Sequence, residues 1–350
     1  MRGIRILFIV FPLVTAGCTG SPSAQAPEAP PEALVWPASL AGPHIRYVRS
    51  FSGAHDAGIA KSFIKRMIEA VIGKSEARLV RPTGVAEHEG VIYIADPGAQ
   101  AVWIFDSARQ RFTKVTRMGN VTLVSPVAVA AGPEGRVYVA DSGLKKVFLL
   151  DPERGTLRAI VEQGLKRPAA VVMDPATGRV YVADSADHRI LVYEPDGAQV
   201  RSWGKRGSGN GEFNYPTHLA WDRAGALLVT DALNFRIQAF DRDGRFLWKI
   251  GRHGDGSGDL AAPKGVATDS QGHLYIVDAL FDAVQIFEQR NSTLLLSFGE
   301  RGVGHGKFWL PAGIYISKTD RIFVADAYNR RIQVFDFLAD PKEVSKTNTP

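Results

Sequence analysis

Cysteine is almost absent. The only one, Cys18, stands close to the N-terminus, so no internal disulfide can brace the chain and packing alone must hold the fold. Long apolar runs are scarce as well. The stretch from Ile6 to Val14 is too short for a helix that crosses a bilayer, which takes about 20 residues. Charge of one sign is also lacking. Forty-two Lys and Arg stand against 36 Asp and Glu, a net charge of +6, and Arg2 and Arg5 belong to the leader discussed below. So modest an excess does not call for nucleic acid. Helical periodicity is confined to residues 58–74, where Ile59, Phe63, Met67 and Val71 recur every fourth position.

What fills the chain instead is one repeated pattern. It opens on a proline: Pro82, Pro126, Pro168, Pro216, Pro263 and Pro311. It passes through a turn into an apolar run that ends on Asp96, Asp141, Asp184, Asp231, Asp278 and Asp326, at intervals of 43 to 48 residues. A further apolar strand follows. That period suits four short strands and their turns, one propeller blade. Runs such as Val91-Ile92-Tyr93-Ile94 and Leu274-Tyr275-Ile276-Val277 are β-branched and aromatic, which favours strands over paired helices of similar period. The last copy stops after its third strand at Phe335-Asp336, and Ile45 to Phe51 carries the pattern of the missing fourth. The sequence therefore predicts an all-β, six-bladed β-propeller of four-stranded blades. Its ring is closed by the N-terminal strand, which removes an exposed edge, and one short helix is inserted before the first full repeat.

The P-x-G-V-A openings, the V-x-D strand ends and the N-x-R-I-Q-x-F runs at 234–240 and 329–335 resemble the NHL-repeat family of six-bladed propellers. So do the loops at 204–213, 251–260 and 299–308. The resemblance implies the fold. It leaves function open, because this fold hosts binders, scaffolds and enzymes.

Arg2 and Arg5, the apolar run and Thr15-Ala16-Gly17-Cys18 make a secretory signal that resembles a bacterial lipoprotein leader. Cleavage would precede Cys18, and lipid would sit on its thiol. The expected organisation is a signal peptide over 1–17, a lipidated Pro/Ala-rich tether over 18–43, the propeller over 44–338 and a tail over 339–350. The helical insertion over 58–74 is either a helix packed on the ring or a lid or dock. The location implied is the bacterial cell envelope, by the resemblance the outer membrane facing the periplasm in an organism that has one.

The six V-x-D aspartates invite a metal or acid–base role. One Asp at the same place in every blade is better explained as a structural acceptor of turn amides. Asp184, Asp231 and Asp326 are each followed five residues on by Arg189, Arg236 and Arg331, which suggests structural Asp–Arg pairs. The Gly-rich loops lack the strand-to-helix setting of a phosphate cradle and read as blade-to-blade connections.

Strand alternation puts those loops and the loops after each V-x-D on one face. It gathers Lys205, Arg206, Arg252, His253, Arg301, His305 and Lys307 with His188, Leu233, Phe235, Leu280, Phe281, Tyr328 and Arg330. Basic and aromatic side chains interleaved on a loop face suggest an interaction surface. The bland alternative is aromatics tucked between blades and cations that only keep the face wet. His218 is the odd residue two places after the proline, where the other copies have Gly84, Ala128, Ala170, Gly265 and Gly313. It is either a ligand contact or a metal ligand, or else a hydrogen-bonded filler of the channel.

Two functions compete. One is a lipid-tethered binding or scaffold module for an envelope protein, peptide or glycan, with no cofactor, no metal and no catalytic residue expected. The other is a channel-mouth enzyme. Related propellers include a peptide-amidating lyase that holds zinc with several histidines, and metal-dependent lactonases with acidic ligands on inner strands. Here only His218 is well placed, and the inner strands are mostly Gly, Ala and Val.

Overall fold

The computed structural model describes residues 34–37, 44–59 and 77–339. Within them the chain folds into six antiparallel sheets arranged as blades, plus a two-stranded ribbon between the first two blades. Blades 1 to 5 have four strands each and begin at Gly84, Pro126, Pro168, Pro216 and Pro263. Blade 6 has five: Ile314–Ile316, Arg321–Asp326, Arg331–Leu338, His44–Phe51 and Val35–Trp36. The N-terminal strand seals the ring as predicted, with Tyr47 opposite Phe335, Ser50 opposite Gln333 and Phe51 opposite Ile332. Val35–Trp36, inside the segment read as tether, adds an edge pair against Ile45 and Arg46.

Burial explains the strand compositions. Second strands such as Val180–Asp184 and Leu227–Asp231 are buried on both faces, because a neighbouring blade covers each side, and so they are continuous apolar runs. Outer strands such as Thr293–Phe298 alternate exposed and half-buried positions, the period-2 pattern of a strand covered on one side. The core is correspondingly divided into six clusters, each lying between adjacent blades. Phe51 belongs to the one that closes the ring. It packs edge-to-face on Phe105 with centroids 5.1 Å apart, a contact worth about 1 kcal/mol beyond its burial.

The described residues contain no α-helix, only the single-turn 3-10 segments Pro133–Gly135 and Ala232–Asn234. The helix expected over 58–74 falls, apart from Gly58 and Ile59, outside the described residues. Ile59 is buried in the ring-closing cluster.

All six V-x-D aspartates are buried. Each takes the backbone N–H of the residue two before the proline that opens its own repeat: Val80, Val124, Lys166, Asn214, Ala261 and Trp309, at 2.6–2.9 Å. The carboxylate thus pins the segment that enters each inner strand. Two of the three expected Asp–Arg pairs form: Arg236 on Asp231 and Arg331 on Asp326, both 2.8 Å. The third does not, since Arg189 pairs with Asp187. Arg236 also donates to the carbonyls of Ser208, Gly209 and Glu212, while Asn234 donates to Gly207 and Gln238 to Glu212. Asn329, Arg331 and Gln333 do the same to the loop at 302–307. The N-x-R-I-Q run is therefore a clamp on the preceding interblade loop.

Candidate binding site at the channel mouth

The loops after the V-x-D aspartates and the pre-proline segments lie together, as the strand count requires. Ser142 donates to Ser125 O, Ser185 to Arg167 O, Ala279 to Ala262 O and Tyr328 to Trp309 O through their backbone N–H groups. These paired segments frame the mouth of the central channel, where a cavity of about 590 Å³ opens.

Its wall is built from repeat columns. The residue following each proline contributes to it in all six blades: Thr83, Val127, Ala169, Thr217, Lys264 and Ala312. The residue preceding the proline contributes Arg81, Arg167, Ala262 and Leu310. Past the aspartates come Ser142, Ala279, Leu280, Ala327 and Tyr328. No Asp or Glu lines the cavity.

Small residues two places after the proline serve blade packing. A Cβ on Gly313 would stand 2.4 Å from Thr83 O, and one on Gly265 would stand 2.6 Å from Ile314 N. His218 occupies this column in blade 4 and reaches the cavity. Burial, seconded by the positive charge of Lys264, pushes its imidazole down to about 4, so the ring is neutral near pH 7. The Thr217 hydroxyl beside it is buried without a hydrogen-bond partner. Lys264 keeps access to channel water but is surrounded by protein. Burial lowers its ammonium below the ordinary lysine range; Asp278 opposes this and Arg167 adds to it.

Of the residues singled out in the sequence, His218, Leu280 and Tyr328 line the cavity. Leu280 is 65% exposed and Tyr328 47%, the latter with its ring 5.7 Å from that of Trp309. Leu233 is exposed on the same face, and Phe281 is half-buried. Arg330 is exposed at a left-handed backbone position. The rings of Phe235 and His253 pack against each other, tilted by 40° with centroids 4.1 Å apart. The interblade-loop cations do not reach the cavity wall. Lys205 pairs with Glu212 at 3.3 Å and Arg252 with Asp259, so each is tied to its own loop, while Arg206 and Arg301 are exposed. His305 is bound to the Tyr47 hydroxyl, 2.7 Å away, and His188 Nδ1 accepts the Tyr215 N–H. Of the four histidines weighed for a zinc site, only His218 lines the cavity, and His188, His253 and His305 are engaged elsewhere. Among the described residues no group of three or more His, Cys, Asp or Glu side chains could hold a metal ion. Cys18 lies outside the described residues.

Arg81, Arg167 and Lys264 were not singled out in the sequence. The signal was available: a column-by-column comparison one place either side of the proline shows these as the only cations. A search two places after the proline passes over them.

The NHL-repeat family model matches residues 165–193 and 308–335. No curated protein sequence matches the chain. Among solved structures, a protein of unknown function from Bacteroides thetaiotaomicron is similar at 16% identity over 85% of this chain and 76% of that one, with a TM-score of 0.59. A streptogramin B lyase is similar at 13% identity over 74% and 94%, with a TM-score of 0.55. A putative gluconolactonase is similar at 12% identity over 75% and 90%, with a TM-score of 0.57. At such identities the likeness speaks for the fold alone. The chain is a six-bladed β-propeller carrying NHL repeats.

Proposed function

We propose that this propeller is a binding module, tethered to the cell envelope by lipid on Cys18, whose recognition surface is the channel-mouth face. The observation that supports it is the cavity of about 590 Å³ with exposed Leu280 and Tyr328 on its wall. Concave, mostly apolar sites with a few placed polar groups are where proteins take ligands. The ring around it is preorganised, because each entering segment is pinned by a buried aspartate, so little ordering entropy is lost on binding. An envelope protein, peptide or glycan is the class of partner that such a tethered module would meet.

The metal-dependent lyase or lactonase alternative finds no support in the donor set. The ionisable groups on the cavity wall are Arg81, Arg167, Lys264 and His218, with Tyr328 at the rim. The three cations repel a metal ion, and the single neutral imidazole of His218 falls short of the three protein ligands that a catalytic zinc takes.

Site-specific photo-crosslinking in intact envelopes tests the proposal. A crosslinker at Leu280 or Tyr328 should capture a discrete partner, and one at Asp243 on the opposite face should not. Equal capture from both faces, or none from the mouth, would refute it.

A further inference from the structure

The three cations of the cavity come from alternate blades. Arg81 enters blade 1, Arg167 enters blade 3 and Lys264 opens blade 5. In a ring of six similar blades, each step of two blades turns about 120° around the axis, so the three approach the mouth from three sides.

None of them has a carboxylate partner among the described residues, unlike Arg46, Arg236, Arg242 and Arg331, which all bind one. The aspartates of their own blades, Asp96, Asp184 and Asp278, are buried. Their oxygens are occupied by the backbone N–H groups of Val80, Arg81, Lys166, Arg167, Ala261 and Ala262. They hold the cationic segments in place and take no bond from the cationic side chains. The charges of Lys264 and Arg167 act on one another across the cavity. Holding like charges together around a carboxylate-free cavity costs free energy, and a bound anion recovers it.

We infer that the channel mouth binds a small multivalent anion, a polycarboxylate or a phosphate ester, gripped from three sides by Arg81, Arg167 and Lys264. The two guanidiniums supply paired N–H donors and the ammonium a point charge. Leu280 and Tyr328 cover whatever apolar body the anion carries. This assignment rests on the mouth face as the recognition surface and names the chemistry taken there.

Isothermal titration of the full chain with citrate and with inorganic phosphate, at ionic strength matched with chloride, is the test. At least one of the two should bind with 1:1 stoichiometry. Arg167→Gln and Lys264→Gln should each weaken it by about tenfold or more, while Arg206→Gln and Arg301→Gln, exposed on the interblade loops, should leave it unchanged. Unchanged melting temperatures in the chloride buffer establish that the variants are folded. Preference for citrate assigns a polycarboxylate, and preference for phosphate a phosphate ester. Binding of neither above chloride, or equal weakening by the loop variants, overturns the inference. If crosslinks form at Leu280 while neither anion binds, the anion assignment fails and the recognition surface stands; if both are absent, both fail.

Discussion

His218 should make this propeller acid-sensitive in a way that a single substitution removes. Its imidazole titrates at about 4 in the folded protein, mainly because it is buried and secondly because Lys264 is close. In the unfolded chain it titrates near 6.5. The folded value is the lower one, so the unfolded state binds the proton first. Above about pH 6.5 both states are neutral there and nothing is lost. As pH falls from about 6.5 to about 4 the folded state loses about 1.4 kcal/mol per unit relative to the unfolded state. The total is about 2–3 kcal/mol once channel water is allowed for, and below about pH 4 this loss grows no further. Many carboxylates titrate in the same window, so the quantity to measure is a difference. Denaturant unfolding of the wild type and of His218→Gln should be followed between pH 7 and pH 4. The wild type should fall faster by that amount, and histidine proton shifts should give the value of His218 directly. Parallel pH profiles, or a titration near 6.5, would refute the reasoning.

Two other substitutions test the architecture. Asp326→Ala strips a buried acceptor from Trp309 N, Asn329, Arg331 and Gln333; stability by denaturant unfolding should drop by about 3–5 kcal/mol, and a drop below about 1 kcal/mol would deny the clamp its role. Gly313→Ala places a methyl 2.4 Å from Thr83 O, whereas Gly84→Ala meets Ala128 Cα at 3.1 Å; the first should lower the melting temperature, by overpacking of about 1–3 kcal/mol, more than the second, and the reverse order would show that blades 6 and 1 are less tightly joined than the structure states.

The repeat was legible in the sequence because it is local. A proline, a turn, an apolar run and an aspartate recur in six copies, and strands covered on both sides must be apolar throughout. Ring closure was legible for the same reason: an unpaired third strand at 331–335 and a spare strand at 45–51 have only each other. The common face of the loops followed from strand alternation. What covers each aspartate also followed, since a buried carboxylate repeated six times must be satisfied by something that repeats with it.

The centre of that face was decided by tertiary structure. Sequence order spreads Arg81, Arg167 and Lys264 over four blades' length, and only the closed ring brings them to one cavity. The Gly-rich loop cations looked equally eligible, but Lys205 and Arg252 are spent on Glu212 and Asp259 of their own loops, pairings that depend on how each loop folds back. Arg189 chose Asp187 over Asp184 although its spacing is that of Arg236 and Arg331. Local periodicity determines which residues face in and which face out. Which charges remain unpaired at the axis depends on contacts between residues far apart in the chain, and only closure of the ring sets those.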